Sequence, residues 1–130
     1  MTNEQPKSLN GFTGTEQYYF NPFFKGINYT DGIKFLSDNK ASWLVTDTLS
    51  VLLHEPKVKE GYEQEGFICV KWKFENTDGK TTAQAIYTDG NENILFKQDY
   101  EHTDFLNHYA IESELNLYYT NGVLMLSSEY

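Results

Sequence analysis

The stretch Phe67-Ile68-Cys69-Val70-Lys71-Trp72-Lys73-Phe74-Glu75 decides the fold. Ile68, Val70, Trp72 and Phe74 alternate with Cys69, Lys71, Lys73 and Glu75. This period of two is that of a pleated strand with one buried face and one wet face. Just beyond, Asp78-Gly79 supplies the residue pair that a type I′ hairpin turn requires. With those two residues as the loop, Thr77 faces Lys80, and the pairing places Phe74 opposite Ala83, Trp72 opposite Ala85 and Val70 opposite Tyr87. Large side chains then meet small ones, as close packing favours.

Working outward, Asn121-Gly122 closes a second hairpin that pairs Tyr119 with Leu124 and Leu117 with Leu126 on one face, and Tyr118 with Met125 on the other. A further strand over 93–98 follows the Asp89-Gly90 turn, with Ile94 and Phe96 on one face, giving five strands. Helical signals precede them. Thr30 or Asp31 caps a short helix carrying Ile33, Phe35 and Leu36 and ending near Asn39. Ser42 caps a second, in which Leu44, Val45, Leu49, Val51, Leu52 and Leu53 cover more than one face, and Pro56 stops it just past His54. Between 11 and 29, Phe12, Tyr18, Tyr19, Phe20, Phe23, Phe24 and Tyr29 follow no period and read as an aromatic collar over the core. Within it, Thr15 caps one helical turn over 16–20 that Asn21-Pro22 ends. Thr103 or Asp104 caps a short helix across Phe105, Leu106 and Tyr109.

Helices first and strands after predict an α+β fold: a single domain with two main N-terminal helices packed on a mostly antiparallel sheet of about five strands. The polar residues 1–10 read as a flexible lead-in and 11–130 as the domain. Helices on one side leave Cys69, Lys71, Tyr118 and Met125 on an open face or at a homodimer interface.

Composition narrows the function classes. The chain has 130 residues, 39% hydrophobic and 16% aromatic, enough for one core and short of two. Nineteen acidic residues face ten basic ones, a net charge of -9, and all ten are lysine. Arginine, which reads guanine edges and clamps phosphates bidentately, is absent. Direct nucleic-acid recognition is therefore disfavoured, and an acidic protein is steered toward a basic protein surface. The single Cys69 forbids an internal disulfide, and neither a signal peptide nor a membrane span is apparent, so a cytoplasmic location is expected.

Catalytic constellations find little support. His102, Asp104 and His108 miss the i, i+4 spacing of a helical zinc pair. Cys69 lacks a local histidine and carboxylate partner, and no G-x-S-x-G or P-loop pattern occurs. With nineteen acids, close carboxylate pairs arise by chance. No enzyme, metal or cofactor is expected. Two acid-rich segments containing tyrosine remain, 57–65 and 99–114, and mark Glu60, Tyr62, Glu63, Glu65, Asp99, Tyr100, Glu101, Asp104, Glu112 and Glu114 as candidate partner-binding residues. Carboxylates and aromatic rings together suit a partner bearing Lys and Arg. Two alternatives stand beside this: a nucleic-acid contact through Lys57, Lys59, Lys71 and Lys73, or a small-ligand enzyme built around the aromatic collar.

Gly11-Phe12-Thr13-Gly14-Thr15, Tyr18-Tyr19, Tyr29-Thr30-Asp31-Gly32, Trp43-Leu44, Gly122-Val123-Leu124 and Ser128-Glu129-Tyr130 resemble an uncharacterised domain family of small proteins from bacteria, phages and plasmids. The chain is also similar in character to anti-CRISPR proteins. That resemblance implies a mobile-element inhibitor of a host defence effector, with an RNA-guided RNase of the Cas13b kind as the basic partner.

Overall fold

The computed structural model describes residues 6–111 and 113–130. The first two strands are β1 (Tyr19–Phe20) and β2 (Asn28–Tyr29), followed by helices α1 (Asp31–Asp38), α2 (Ser42–His54) and α3 (Pro56–Glu65). After them come β3 (Phe67–Thr77), β4 (Lys80–Thr88), β5 (Ile94–Tyr100), α4 (Phe105–His108), β6 (Glu114–Thr120), β7 (Val123–Leu126) and a final 3₁₀ turn, Ser127–Glu129. The fold is α+β. The strands form one sheet of seven in the order β1-β2-β7-β6-β3-β4-β5, antiparallel except where β2 runs parallel to β7.

The hairpins have the register their turns dictate. Asp78 and Gly79 both take positive φ, 54° and 78°, and Thr77 faces Lys80, Phe74 faces Ala83, Trp72 faces Ala85 and Val70 faces Tyr87. Asn121 and Gly122, at 52° and 75°, set Tyr119 against Leu124, Tyr118 against Met125 and Leu117 against Leu126. Positive φ at both central residues twists the turn to suit the strands.

All helices lie on the face carrying Ile68, Val70, Trp72 and Phe74, and the core forms between the two layers. Leu44, Val45, Thr48, Leu49 and Leu52 of α2 are buried. The buried Trp72 indole donates to Thr48 Oγ1 at 3.2 Å, and that hydroxyl donates in turn to Leu44 O at 2.8 Å. Below α1, Phe105 stacks between Phe74 and Tyr109, with ring centroids 4.5 and 4.6 Å away.

Several expectations need correction, the aromatic collar among them: Tyr18, Phe20 and Phe23 are exposed and do not pack over the core. The sheet has seven strands where five were expected, because β1 and β2 are only two residues long and carry no period. Residues 16–20 form no helical turn, since Tyr19 and Phe20 pair with Tyr29 and Asn28. Pro56 does end α2, and it also opens α3 at the first helical turn, where its missing N–H costs nothing, so a third helix over Pro56–Glu65 joins the two main helices expected. A register shift at Tyr87/Thr88 sends Phe96 to the helix side against Tyr87 and Ile94 to the other side beside Thr88, so the two do not share a face. The lead-in is anchored where it is described: Lys7 N–H donates to His108 O at 2.8 Å, its carbonyl accepts from Ala110 N–H at 2.9 Å, and Leu9 is buried.

Candidate functional site

The side chains that alternate away from the helices define the open face. Strand register arranges them in rows. Phe67, Thr120 and Val123 form the first row, and Met125, Tyr118, Cys69, Thr88 and Ile94 the second. The third is Asn116, Lys71, Ile86 and Lys97, and the fourth is Glu114, Lys73, Gln84 and Asp99. The face grades from apolar at one end to charged at the other.

At the charged end, a depression of about 530 Å³ is lined by Glu75, Asp99, Glu101 and Glu114, with Phe74, Ala83 and Tyr100 as apolar lining and Lys73 as its one cation. These carboxylates come from β3, β5, β6 and the residue after β5, and all four side chains are exposed. Gln84 Nε2 donates to Asp99 Oδ1 at 2.9 Å, and Lys71 Nζ lies 4.0 Å from Glu114 Oε2. The arrangement offers a concave acidic surface whose charges are only partly balanced by lysine.

Of the residues the sequence marked, Asp99, Tyr100, Glu101 and Glu114 are brought together here. Glu60, Glu63 and Glu65 sit exposed on α3, on the helix side of the sheet. Asp104 lies beyond β5 with its Oδ2 3.1 Å from His108 Nε2, and Glu112 lies outside the described residues. The two tyrosines turn inward. Tyr62 stacks on Tyr119 at 4.3 Å, and its hydroxyl accepts from Gly122 N–H at 2.9 Å. Tyr100 packs between Trp43 and Trp72 and donates to Asp47 Oδ2 at 2.9 Å; burial and that carboxylate push its hydroxyl pKa up. Glu75 joins the depression without having been singled out, although the strand alternation already placed it on the wet face.

The four lysines of the nucleic-acid alternative do not share a surface. Lys57 and Lys59 stand on α3, on the helix side, whereas Lys71 and Lys73 lie on the open face. Cys69 is half-buried in the open face, where burial pushes its thiol pKa up, away from the thiolate a nucleophile needs. Among the described residues, no group of three or more His, Cys, Asp and Glu is placed to hold a metal, and no helix is long and apolar enough to cross a membrane.

The motif stretches of the amino-terminal third meet elsewhere, around the start of α1. Asp31 Oδ2 accepts from Glu16 N–H at 2.9 Å, its Oδ1 accepts from the Tyr19 hydroxyl at 3.1 Å, and its own N–H donates to Thr15 Oγ1 at 2.9 Å. The Glu16 N–H leads the groups that hold the Asp31 carboxyl below its ordinary pKa. Glu129 brings a second carboxylate to Gly32 N–H. Two carboxylates from the chain itself therefore occupy this helix end, which repels a phosphate. From the Gly-Thr loop at 11–15, Phe12 packs on Phe35 with ring centroids 5.2 Å apart, and Thr15 takes the Asp31 N–H.

A model of a family of unknown function matches residues 3–130. No curated protein and no solved structure matches the chain.

Proposed function

The chain belongs to that family, DUF6876, across residues 3–130, and from its surface we propose a non-enzymatic binding protein whose acidic depression docks on a lysine- and arginine-rich protein surface. The observation that carries the reading is the convergence of Glu75, Asp99, Glu101 and Glu114 on one concavity with a single lysine. Carboxylates gathered on a concave surface focus a negative field and speed encounter with a basic partner. The chain's net charge of -9 acts in the same direction. The half-buried Tyr100 supplies ring edge at the rim for lysine stems and guanidinium planes.

The partner class is the RNA-handling channel of a host defence nuclease, with the protein acting as a mobile-element inhibitor of the anti-CRISPR type in the cytoplasm. A channel built to hold a polyanion accepts an acidic protein end in place of RNA. The resemblance to anti-CRISPR proteins and the charge support this choice. The lysines divide between two faces, which weakens the nucleic-acid alternative.

Purified protein mixed with a Cas13b-type RNase gives a complex by size exclusion at about 150 mM salt, near physiological ionic strength, and slows RNA cleavage. Asp99→Lys with Glu101→Lys weakens that complex at least about tenfold while the fold is retained. Absence of a complex with the wild-type chain refutes the nuclease assignment. A complex indifferent to the two reversals refutes the acidic depression as its site.

A further inference from the structure

We infer that the apolar end of the open sheet face binds a second copy of this chain, forming a two-fold dimer centred on the Cys69 row. Phe67, Tyr118 and Tyr130 form an edge-to-face and tilted cluster there, with centroids 5.1, 5.5 and 5.9 Å apart. Tyr130 is 76% exposed and Ile94 55% exposed. A depression of about 450 Å³ runs among Phe67, Cys69, Ile94 and Tyr118, with Lys71 and Glu92 at its edge.

Charge selects the occupant. The first three rows of the face carry Lys71 and Lys97 and no carboxylate, and Glu92 is the one acid lining the depression, on a chain of net charge -9. Copies that meet on these rows keep the Glu75, Asp99, Glu101 and Glu114 carboxylates of the two chains apart. The order of the rows adds complementarity. A two-fold axis across the strands along the Cys69, Tyr118 and Thr88 row lays the Lys71 row of one copy over the Phe67 row and Tyr130 of the other. Lysine ammonium groups then face aromatic rings twice, once in each half of an isologous interface. The fourth row falls outside this overlap, so the dimer displays two acidic depressions at its opposite ends.

Sedimentation velocity of the full chain without any partner tests this, over roughly 1 to 500 μM, the range in which a small interface self-associates. The expected result is a concentration-dependent dimer. Tyr118→Glu and Ile94→Glu each raise its dissociation constant by about 30-fold or more, the effect of losing a central anchor, and Lys57→Glu on α3 leaves it unchanged. Circular dichroism confirms that each variant is folded. In the wild type, a short bismaleimide joins Cys69 to the partner's Cys69. A wild-type chain that stays monomeric across the range overturns the proposal, as does a dimer that survives both open-face substitutions. Binding of an oligonucleotide or a basic peptide to this face of a monomer assigns another occupant and overturns it too. The oligomeric state is read with no nuclease present, so failure here leaves the acidic-depression reading standing.

Discussion

The Glu129 carboxylate caps Gly32 across 97 residues of sequence, its Oε2 accepting the Gly32 N–H at 3.1 Å. Its Oε1 also accepts from the Thr30 hydroxyl at 2.6 Å and from Leu126 N–H at 3.0 Å. The first turn of α1, which its own N-cap residue does not cap through its side chain, is closed from the end of the sheet. An anion beside free N–H groups at a helix start is favourable for the same reason a capping side chain is.

Gly32 is required by space and not by backbone angle. A Cβ there would lie 2.6 Å from Leu126 Cδ1 and collide with the Glu129 carboxylate. Gly32→Ala is expected to cost about 1–3 kcal/mol as an overpacking substitution. Glu129→Gln, which replaces an accepting oxygen with a donor, costs about 1–2 kcal/mol. Urea unfolding midpoints check both, and the double variant should lose less than the sum because the two residues touch.

Asp31 ties stability to acid. Its folded carboxyl lies below the ordinary 3.8, chiefly through the Glu16 N–H, so the unfolded chain takes up the proton first as pH falls. Its contribution is complete above about pH 5 and disappears as pH drops through the folded value. Asp31→Asn should therefore lower stability at neutral pH and flatten the decline between about pH 5 and pH 2, the window in which a depressed carboxyl titrates. A variant whose acid limb is as steep as the wild type's removes Asp31 from that account. Asp89, held low first by the Asn93 side chain, titrates in the same direction.

Thr48→Val keeps the shape and removes the acceptor of the Trp72 indole. Trp72 is fully buried, so its N–H is left without a partner, at a cost of about 1–3 kcal/mol. Chemical denaturation followed by tryptophan emission measures the loss, and the native emission maximum should shift to shorter wavelength as the hydrogen bond is removed.

Tyr62 separates a partner-binding residue from a structural one. Because its ring stacks on Tyr119 and its hydroxyl holds Gly122 N–H, Tyr62→Ala should destabilise by about 2–4 kcal/mol, as loss of a packed aromatic does. Tyr62→Phe should cost about 1 kcal/mol, the price of one hydrogen bond. A Tyr62→Ala chain that melts like the wild type contradicts this placement.

The hairpins were legible because local chemistry decides them: Asp78-Gly79 and Asn121-Gly122 set the turns, and alternation sets the faces. The helix α3 was not, because Pro56 ends one helix and starts the next, and only Val58 and Gly61 of its ten residues are buried. Nor does any local pattern announce that β7 sits between β2 and β6, or that β6 pairs along its whole length with β3. Those pairings are set by burial of Leu117, Tyr119 and Leu124 in a core assembled from distant parts of the chain. For the same reason the acidic depression was half legible. Glu114 and Asp99 were marked by composition, but only the sheet brings them to Glu75.

The place of β7 has a consequence for biosynthesis. The strand that receives β2, and the glutamate that closes α1, are made after the elements they hold, Glu129 97 residues after Gly32. At roughly 5–20 residues per second, Gly32 waits on the order of 5–20 s for Glu129 to leave the peptidyl transferase centre. During translation β1, β2 and the head of α1 lack the strand they dock on, and the nascent chain leaves Ile27 and Tyr29, buried in the fold, uncovered. The amino-terminal third therefore docks late, and folding does not follow the order of synthesis.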